Sequence, residues 1–202
     1  MFVATISEAE ADGRIAEIYA AERAQRGYVM SGTQVWTARP DMLPAWEDFF
    51  MHLRAGTSLS DREWILIGLL ASLRVPTSYC AAEYGRRAID VLGSREAVAA
   101  FVRDFRRCGL PDREVAMLDY AEKVATRAWA ARQEDIDGLR RHGFSDVQIA
   151  DIALAAAVRG FMSRVNDALG AGPEAAILDA DPDFRALLAV GRPVPVPEAS
   201  AG

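Results

Sequence analysis

The sequence predicts an all-helical protein. Apolar residues recur with a helical period along most of the chain, and no run alternates apolar and polar residues as a half-buried strand does. Asn-Gly and Asp-Gly turns between such runs, which are typical of hairpins, are also missing. The 202 residues, 51% of them apolar, are enough for a single domain with a sizeable core.

Eight helices follow from apolar stripes and from the residues that begin and end them. In the first helix, Ile15, Ile18 and Tyr19 form the stripe, and Gly27 ends it. The eight are predicted at about Arg14–Ala24, Met42–Arg54, Ser60–Leu73, Ser78–Leu92, Arg95–Arg107, Asp112–Ala128, Gln133–His142 and Ser145–Leu169.

The third helix is predicted to lie in the core. It opens with a capping box, in which Ser60 is the N-cap residue and Glu63 is at the N3 position. The segment Trp64–Leu73 is apolar nearly all round, which is typical of a buried helix. Pro76 then interrupts the chain before the next helix begins.

A weak internal repeat relates two segments, one from Leu59 to Gly93 and one from Phe144 to Gly170. Each opens with Ser-Asp after an apolar residue and closes with Asp-x-Leu-Gly, which predicts a duplicated helical hairpin. Residues 1–190 are expected to form the helical domain. Residues 191–202, which include three prolines, are expected to form a flexible tail.

Composition and charge exclude several classes of function. The net charge is −6 and the arginines are scattered among acidic residues, so we expect no nucleic-acid partner. No apolar run is long enough to cross a membrane, and no basic segment opens a signal peptide, so we expect a cytoplasmic protein with no membrane partner. Two cysteines, Cys80 and Cys108, do not make a disulfide framework, and both are expected to be thiols.

One cluster of residues has the composition of a reactive site. Its members are Glu63, Thr77, Cys80, Glu83 and Tyr84. Thr77, Cys80 and Tyr84 are spaced i, i+3 and i+7, so they share one face of a helix that begins near Pro76. The N-terminus of that helix favours a thiolate on Cys80.

Ordinary structural roles account for the same residues. A single cysteine on a helix face is often a small buried apolar residue. Glu63 is explained by its capping box, Glu83 by an i,i+4 pair with Arg87, and Tyr84 by the core. No spacing resembles a zinc site and no glycine-rich loop suits a phosphate, so we expect no metal and no cofactor.

Six segments between residues 10 and 172 carry a family resemblance. They are Gly13–Tyr19, Arg39–Leu43, Leu59–Glu63, Leu118–Lys123, Gly143–Asp146 and Phe161–Gly170. In this order they resemble the peroxidase-related branch of the alkylhydroperoxidase D-like / carboxymuconolactone decarboxylase superfamily. The resemblance implies a helical bundle that reduces organic peroxides, is regenerated by a thiol partner, and assembles into trimers or hexamers, or into dimers.

The redox motif of that superfamily is incomplete in this sequence. The family motif is a glutamate followed by Cys-x-x-Cys-x-x-x-His. Cys80 matches the second cysteine, which is expected to attack the peroxide, whereas Thr77 replaces the first cysteine and Tyr84 replaces the histidine. Glu63 is the best match for the glutamate, at a spacing about two residues longer than usual. Without a thiol at position 77, a sulfenic acid on Cys80 needs an outside thiol, or Cys108 if the fold brings it close.

Three hypotheses remain open at this point. The first is reduction of an organic hydroperoxide through the single thiol of Cys80, with Glu63 and Tyr84 handling protons. The second is non-redox proton-transfer chemistry, such as decarboxylation, isomerisation or cyclisation, in a pocket with Glu63 and Tyr84. The third is a non-catalytic descendant that binds a small molecule or a partner.

Overall fold

The computed structural model describes residues 1–178 and 181–194, whose regular secondary structure is helical with no strand among them. The helices are α1 (Gly13–Arg26), α2 (Ser31–Gln34), α3 (Met42–Gly56), α4 (Asp61–Arg74), α5 (Ser78–Leu92), α6 (Arg95–Asp104), α7 (Asp112–Arg127), α8 (Gln133–Arg141), α9 (Asp146–Leu169) and α10 (Pro182–Leu188). Short 3-10 turns lie at Val35–Ala38, Ala128–Ala130 and Ala175–Ile177. The predicted all-helical class and all eight predicted helices are confirmed, whereas the short α2 and α10 were not predicted.

Helix α4 is the centre of the bundle, as its composition predicts. It packs against α5, α7 and α9, and its side chains Leu66, Ile67 and Leu69 are completely buried. The predicted capping box is present. The Ser60 amide donates to Glu63 Oε2 at 2.9 Å, and the Glu63 amide donates to Ser60 Oγ at 3.2 Å. A short polar cap thus fixes where the most apolar helix of the chain begins.

The two copies of the sequence repeat differ in structure. The first copy, from Leu59 to Gly93, forms two helices, α4 and α5, which separate at Pro76. The second copy, from Phe144 to Gly170, forms the single 24-residue helix α9. No proline interrupts the second copy, so its hydrogen-bond ladder continues to Gly170, which ends the helix at φ 81°.

The close packing of α4 and α5 depends on Gly68. The ring of Tyr84 lies directly on the backbone of α4 at this position, where a methyl group on Gly68 would overlap the ring. Tyr84 is therefore fixed by the absence of a side chain on the neighbouring helix. This contact fixes the position of the Tyr84 ring, which lines the site described below.

An aromatic cluster lies between the 3-10 turn at Val35–Ala38, α3 and α9. The indole rings of Trp36 and Trp46 stack with their centroids 4.8 Å apart and their planes 6° apart. Phe161 of α9 packs against both indoles, at 5.7 Å and 5.5 Å. Trp46 also forms part of the wall of the site.

The first residues of the chain and the last described ones meet near the C-terminal end of α9. The Phe2 amide donates to the Leu169 carbonyl at 2.9 Å, and Arg192 stacks on the Phe2 ring at 4.5 Å. The Gly191 amide donates to Ser78 Oγ at 3.0 Å. Residues 195–202 of the predicted tail lie outside the described residues, so their flexibility stays a prediction. No described helix is long and apolar enough to cross a membrane.

Candidate active site

A cavity of about 170 Å³ lies between α1, α3, α5 and α9. Its lining includes Trp46, Phe50, Tyr79, Cys80, Tyr84 and Arg159. Aromatic and aliphatic side chains form much of the wall, and polar side chains reach the cavity from α1, α3, α5 and α9. This combination of apolar walls and a few polar groups is typical of a small-molecule site.

Cys80 and Tyr84 reach the cavity from the first two turns of α5, as their spacing predicts. Both are buried, with 1% and 2% of their surface exposed, yet both line the cavity. Thr77 is the N-cap residue of α5 and is completely buried. Thr77 is not among the residues that line the cavity.

Arg159 of α9 is the residue that joins these two side chains. Its Nη2 donates to the Tyr84 hydroxyl at 2.5 Å, and its Nη1 lies 3.8 Å from the Cys80 Sγ. The guanidinium carbon is 4.3 Å from the centre of the Tyr84 ring. One cation therefore contacts the sulfur, the phenol oxygen and the aromatic face at once.

The charge of Arg159 has no carboxylate partner in the part of the chain that the structure describes. Only 6% of the residue is exposed, and its Nε makes no hydrogen bond with any described residue. Burial acts to lower the pKa of Arg159, but Tyr84 and Cys80 more than offset it, so the pKa is raised and the charge is kept. A buried cation of this kind favours a negative charge on a neighbouring group.

Sequence reasoning missed Arg159, although a signal was present. The residue ends the apolar run 152–158, and a charged side chain inside an otherwise apolar helix must find a buried partner or a function. Asn166, two turns further along α9, was missed as well. It lines the same cavity, and its buried Oδ1 has no hydrogen-bond partner among the described residues.

Glu63 is not brought to the cavity. Its Oε2 accepts hydrogen bonds from the Ser60 amide and hydroxyl, both at 2.9 Å, and its Oε1 accepts one from Arg113. Burial acts to raise the pKa of Glu63, but the Ser60 amide and Arg113 outweigh it and the pKa is lowered. Both oxygens are thus occupied in a helix cap, and the structure gives Glu63 no contact with the cavity.

Glu83 does line the cavity, but its partner differs from the predicted one. Its Oε1 accepts from Arg26 of α1 at 3.1 Å, and Arg86 lies 3.9 Å from its Oε2. The expected i,i+4 pair with Arg87 is not formed, because Glu83 faces α1 and is 5% exposed. The Arg26–Glu83 pair closes one side of the cavity between α1 and α5.

Two further carboxyl groups line the cavity, on Glu22 of α1 and Glu47 of α3. Burial is the main cause that raises the pKa of each. The Glu22 carboxylate is held in place by the Thr33 hydroxyl at 2.6 Å and the Met30 amide at 2.9 Å. These two carboxyl groups are therefore candidates for proton transfer inside the cavity.

Cys108 is not among the residues that line the cavity. It lies at the turn between α6 and α7, where its Sγ donates to the Phe105 carbonyl at 3.3 Å. Burial raises the pKa of the Cys108 thiol. Both cysteines are free thiols, and within residues 1–178 and 181–194 no group of three or more His, Cys, Asp or Glu residues is placed to hold a metal ion.

Comparison with known proteins identifies the fold. No family model matches the sequence, and no curated protein matches it. An uncharacterised peroxidase-related protein with an alkylhydroperoxidase AhpD core, from Ralstonia eutropha JMP134, matches with a TM-score of 0.78. It is 23% identical, over 91% of this chain and 94% of that one. This chain has the AhpD-like fold.

Other solved structures also match over most of the chain. A peroxidase-related protein from Silicibacter sp. TM1040 has a TM-score of 0.74 and 25% identity, over 82% of this chain and 88% of that one. A cysteine-to-alanine variant of the debrominase Bmp8, in complex with 2,3,4-tribromopyrrole, has a TM-score of 0.74 and 22% identity. The match covers 93% of this chain and 96% of that one. The predicted resemblance is confirmed at the level of the fold.

Proposed function

We propose that this protein is a thiol-dependent oxidoreductase in which Cys80 reduces a small organic hydroperoxide. The observation that carries the proposal is the buried charge of Arg159, which lacks a carboxylate partner in the described chain and lies 3.8 Å from the Cys80 Sγ. An unpaired buried charge is costly. A thiolate on Cys80 supplies the missing negative charge, and the thiolate is the nucleophilic form of cysteine.

The proposed reaction is a two-electron transfer from the Cys80 sulfur to the hydroperoxide. The Cys80 thiolate attacks the terminal oxygen of the hydroperoxide, so that an S–O bond forms as the O–O bond breaks. The sulfur loses two electrons and becomes a sulfenic acid, and the other fragment leaves as an alkoxide. Because the Tyr84 oxygen accepts from Arg159, the hydroxyl proton of Tyr84 is free to point toward the leaving alkoxide.

Regeneration of Cys80 requires an external thiol. Thr77 carries no sulfur, and Cys108 does not line the cavity, so no second thiol reaches the sulfenic acid from within the site. One molecule of a small thiol forms a mixed disulfide with Cys80 and releases water. A second molecule then restores the Cys80 thiol and leaves as the external disulfide.

The test is the reaction of the reduced protein with cumene hydroperoxide, followed by sulfenic-acid trapping and intact mass. We expect one oxygen atom to be added per chain at Cys80, unchanged in Cys108→Ser and absent in Cys80→Ser. Turnover should then require added thiol. A Cys80 that reacts no faster than free cysteine would contradict the proposal. Because a protein of this fold was crystallised with 2,3,4-tribromopyrrole, that compound is included as a second probe of Cys80.

Proton-transfer catalysis without redox chemistry is a second candidate, favoured by Glu22 and Glu47. Two cavity carboxyls whose pKa values are raised by burial are suited to general acid–base work. This candidate predicts that Cys80→Ser retains full turnover of a small-molecule substrate, whereas Glu22→Gln and Glu47→Gln lose it. Loss of turnover in Cys80→Ser would favour the thiol reaction instead.

A further inference from the structure

A second space, lined mainly by arginines, opens beside the cavity. It measures about 380 Å³ and is bounded by Arg26, Arg86 and Arg87, together with Gln25 and Tyr28. Gln25, Arg26 and Arg87 line both this cleft and the cavity of Cys80. The two spaces therefore adjoin, and a molecule bound in the cavity can extend into the arginine cleft.

Three arginines line the cleft, and none of the described carboxylates is among its lining residues. Glu83 is the carboxylate that contacts it, and it is shared between Arg26 at 3.1 Å and Arg86 at 3.9 Å. Arg87 makes no ion pair with any residue of the described chain. The carboxyl groups of Glu22 and Glu47 lie on the cavity side, where they interact electrostatically with Arg26.

Arg87 and Arg159 are placed around one aromatic ring. The guanidinium carbon of Arg87 lies 5.2 Å from the centre of the Tyr84 ring, and that of Arg159 lies 4.3 Å from it. Arg159 contacts the sulfur, and Arg87 faces the cleft. The arginine that contacts the sulfur and the arginine that lines the cleft therefore both lie against the Tyr84 ring.

The cavity volume limits what fits between them. A cavity of about 170 Å³ is close to the roughly 150 Å³ that accepts one benzene molecule. Its Trp46 and Phe50 walls suit an apolar body, whereas the cleft suits an anion. A ligand that satisfies both has one ring or a short chain and a single anionic end.

We propose that the substrate carries a carboxylate, which Arg87 binds at the cleft while the reacting group reaches Cys80. This inference rests on the proposed thiol chemistry for the identity of the reacting group, but the carboxylate site stands on its own geometry. Arg87 supplies a planar pair of donors that matches a carboxylate. Arg26 and Arg86 add charge to the same cleft without contacting the sulfur.

The first experiment measures binding with the thiol chemistry removed. Benzoate and its neutral isostere benzamide are titrated into Cys80→Ser by calorimetry, with and without Arg87→Gln. We expect benzoate to bind more tightly than benzamide. We also expect Arg87→Gln to weaken the binding of benzoate by about tenfold, which is the effect of one hydrogen bond to a charged group. The affinity for benzamide should not change. Arg107→Gln, an 87% exposed arginine outside both spaces, is the matched control and should change neither.

The second experiment separates this inference from the proposed function. Oxidation of wild-type Cys80 is timed with cumene hydroperoxide and with its para-carboxylated analogue. We expect the carboxylated compound to react faster, and Arg87→Gln to abolish the difference. Equal rates together with no benzoate binding would overturn the carboxylate site and leave the thiol reaction intact. An inert Cys80 together with Arg87-dependent benzoate binding would overturn the thiol reaction and leave the carboxylate site intact.

Discussion

At the scale of single residues, Arg159 places a buried charge against both Cys80 and Tyr84. If this charge serves reactivity, its removal should affect the chemistry far more than the stability. Arginine is also a poor structural choice at this position, because its Nε makes no hydrogen bond with a described residue. A residue that is costly for folding and central to the site is expected to have a functional purpose.

Arg159→Met should slow the oxidation of Cys80 by a hydroperoxide about tenfold to hundredfold, because the thiolate loses a charged contact. The midpoint of thermal unfolding should stay the same or rise, since a costly buried charge has been removed. Stopped-flow oxidation kinetics and calorimetry check the two parts. Arg159→Lys should recover part of the rate. A variant that loses stability and keeps its rate would assign Arg159 to packing instead.

Gly68→Ala should destabilise the protein by about 1–3 kcal/mol, because the new methyl group overlaps the Tyr84 ring and both α4 and α5 must shift. The same shift should slow Cys80 oxidation. Urea unfolding gives the free energy. Gly172→Ala is the matched control, since a methyl group there meets no atom within 4 Å, and it should change stability by less than about 0.5 kcal/mol.

At the scale of helices, the predicted elements were those with local signals. The Ser60–Glu63 cap and the apolar run after it defined α4, and Gly93 and Gly170 ended their helices where the sequence indicated. Helix α2, with four residues, is too short to show a period. The site was less predictable because Arg159 lies 79 residues from Cys80 and meets it only through the packing of α9 against α5.

The position of Glu63 shows the same limit of sequence reasoning. The family resemblance implied a proton-relay role for Glu63, although its spacing before Cys80 is about two residues longer than usual. Its hydrogen bonds place it in the cap of α4. Spacing along the chain does not specify which end of a helix faces a site. The predicted capping box is confirmed, because it depends on residues only three positions apart.

Glu63→Gln should lower stability at neutral pH and leave the rate of Cys80 oxidation unchanged. The folded-state pKa of Glu63 is lowered, so its contribution is present above the unfolded pKa and is lost as pH falls through the folded pKa. The difference in unfolding free energy between the wild type and the variant should therefore shrink on acidification. Urea unfolding at pH 7 and at progressively acidic pH checks this. A large loss of oxidation rate would restore Glu63 as a proton relay.

At the scale of the whole molecule, one surface remains strongly apolar. The face between α3 and α9 exposes Met42, Phe49, Leu154 and Phe161, each by 39% to 51%, around an open groove of about 440 Å³. Apolar surface of this kind is a common feature of subunit interfaces. We propose that this face contacts further copies of the chain, in the homo-oligomer that the family resemblance implies.

Leu154→Glu should reduce the size of that assembly, because it places a charge in the middle of the apolar face. Light scattering after size-exclusion chromatography measures the mass. Val147→Glu changes an exposed apolar residue of α9 outside the groove and is the control. A wild-type protein with the mass of one 22.0 kDa chain would contradict the proposal.

The stacked pair of Trp36 and Trp46 gives the protein an internal optical reporter. Two parallel indoles 4.8 Å apart have coupled electronic transitions, and Trp46 forms part of the cavity wall. A molecule entering the cavity changes the surroundings of one partner of the pair. The near-ultraviolet circular dichroism and the tryptophan emission of the unmodified protein should therefore follow occupancy of the site, so that compounds can be screened without a label.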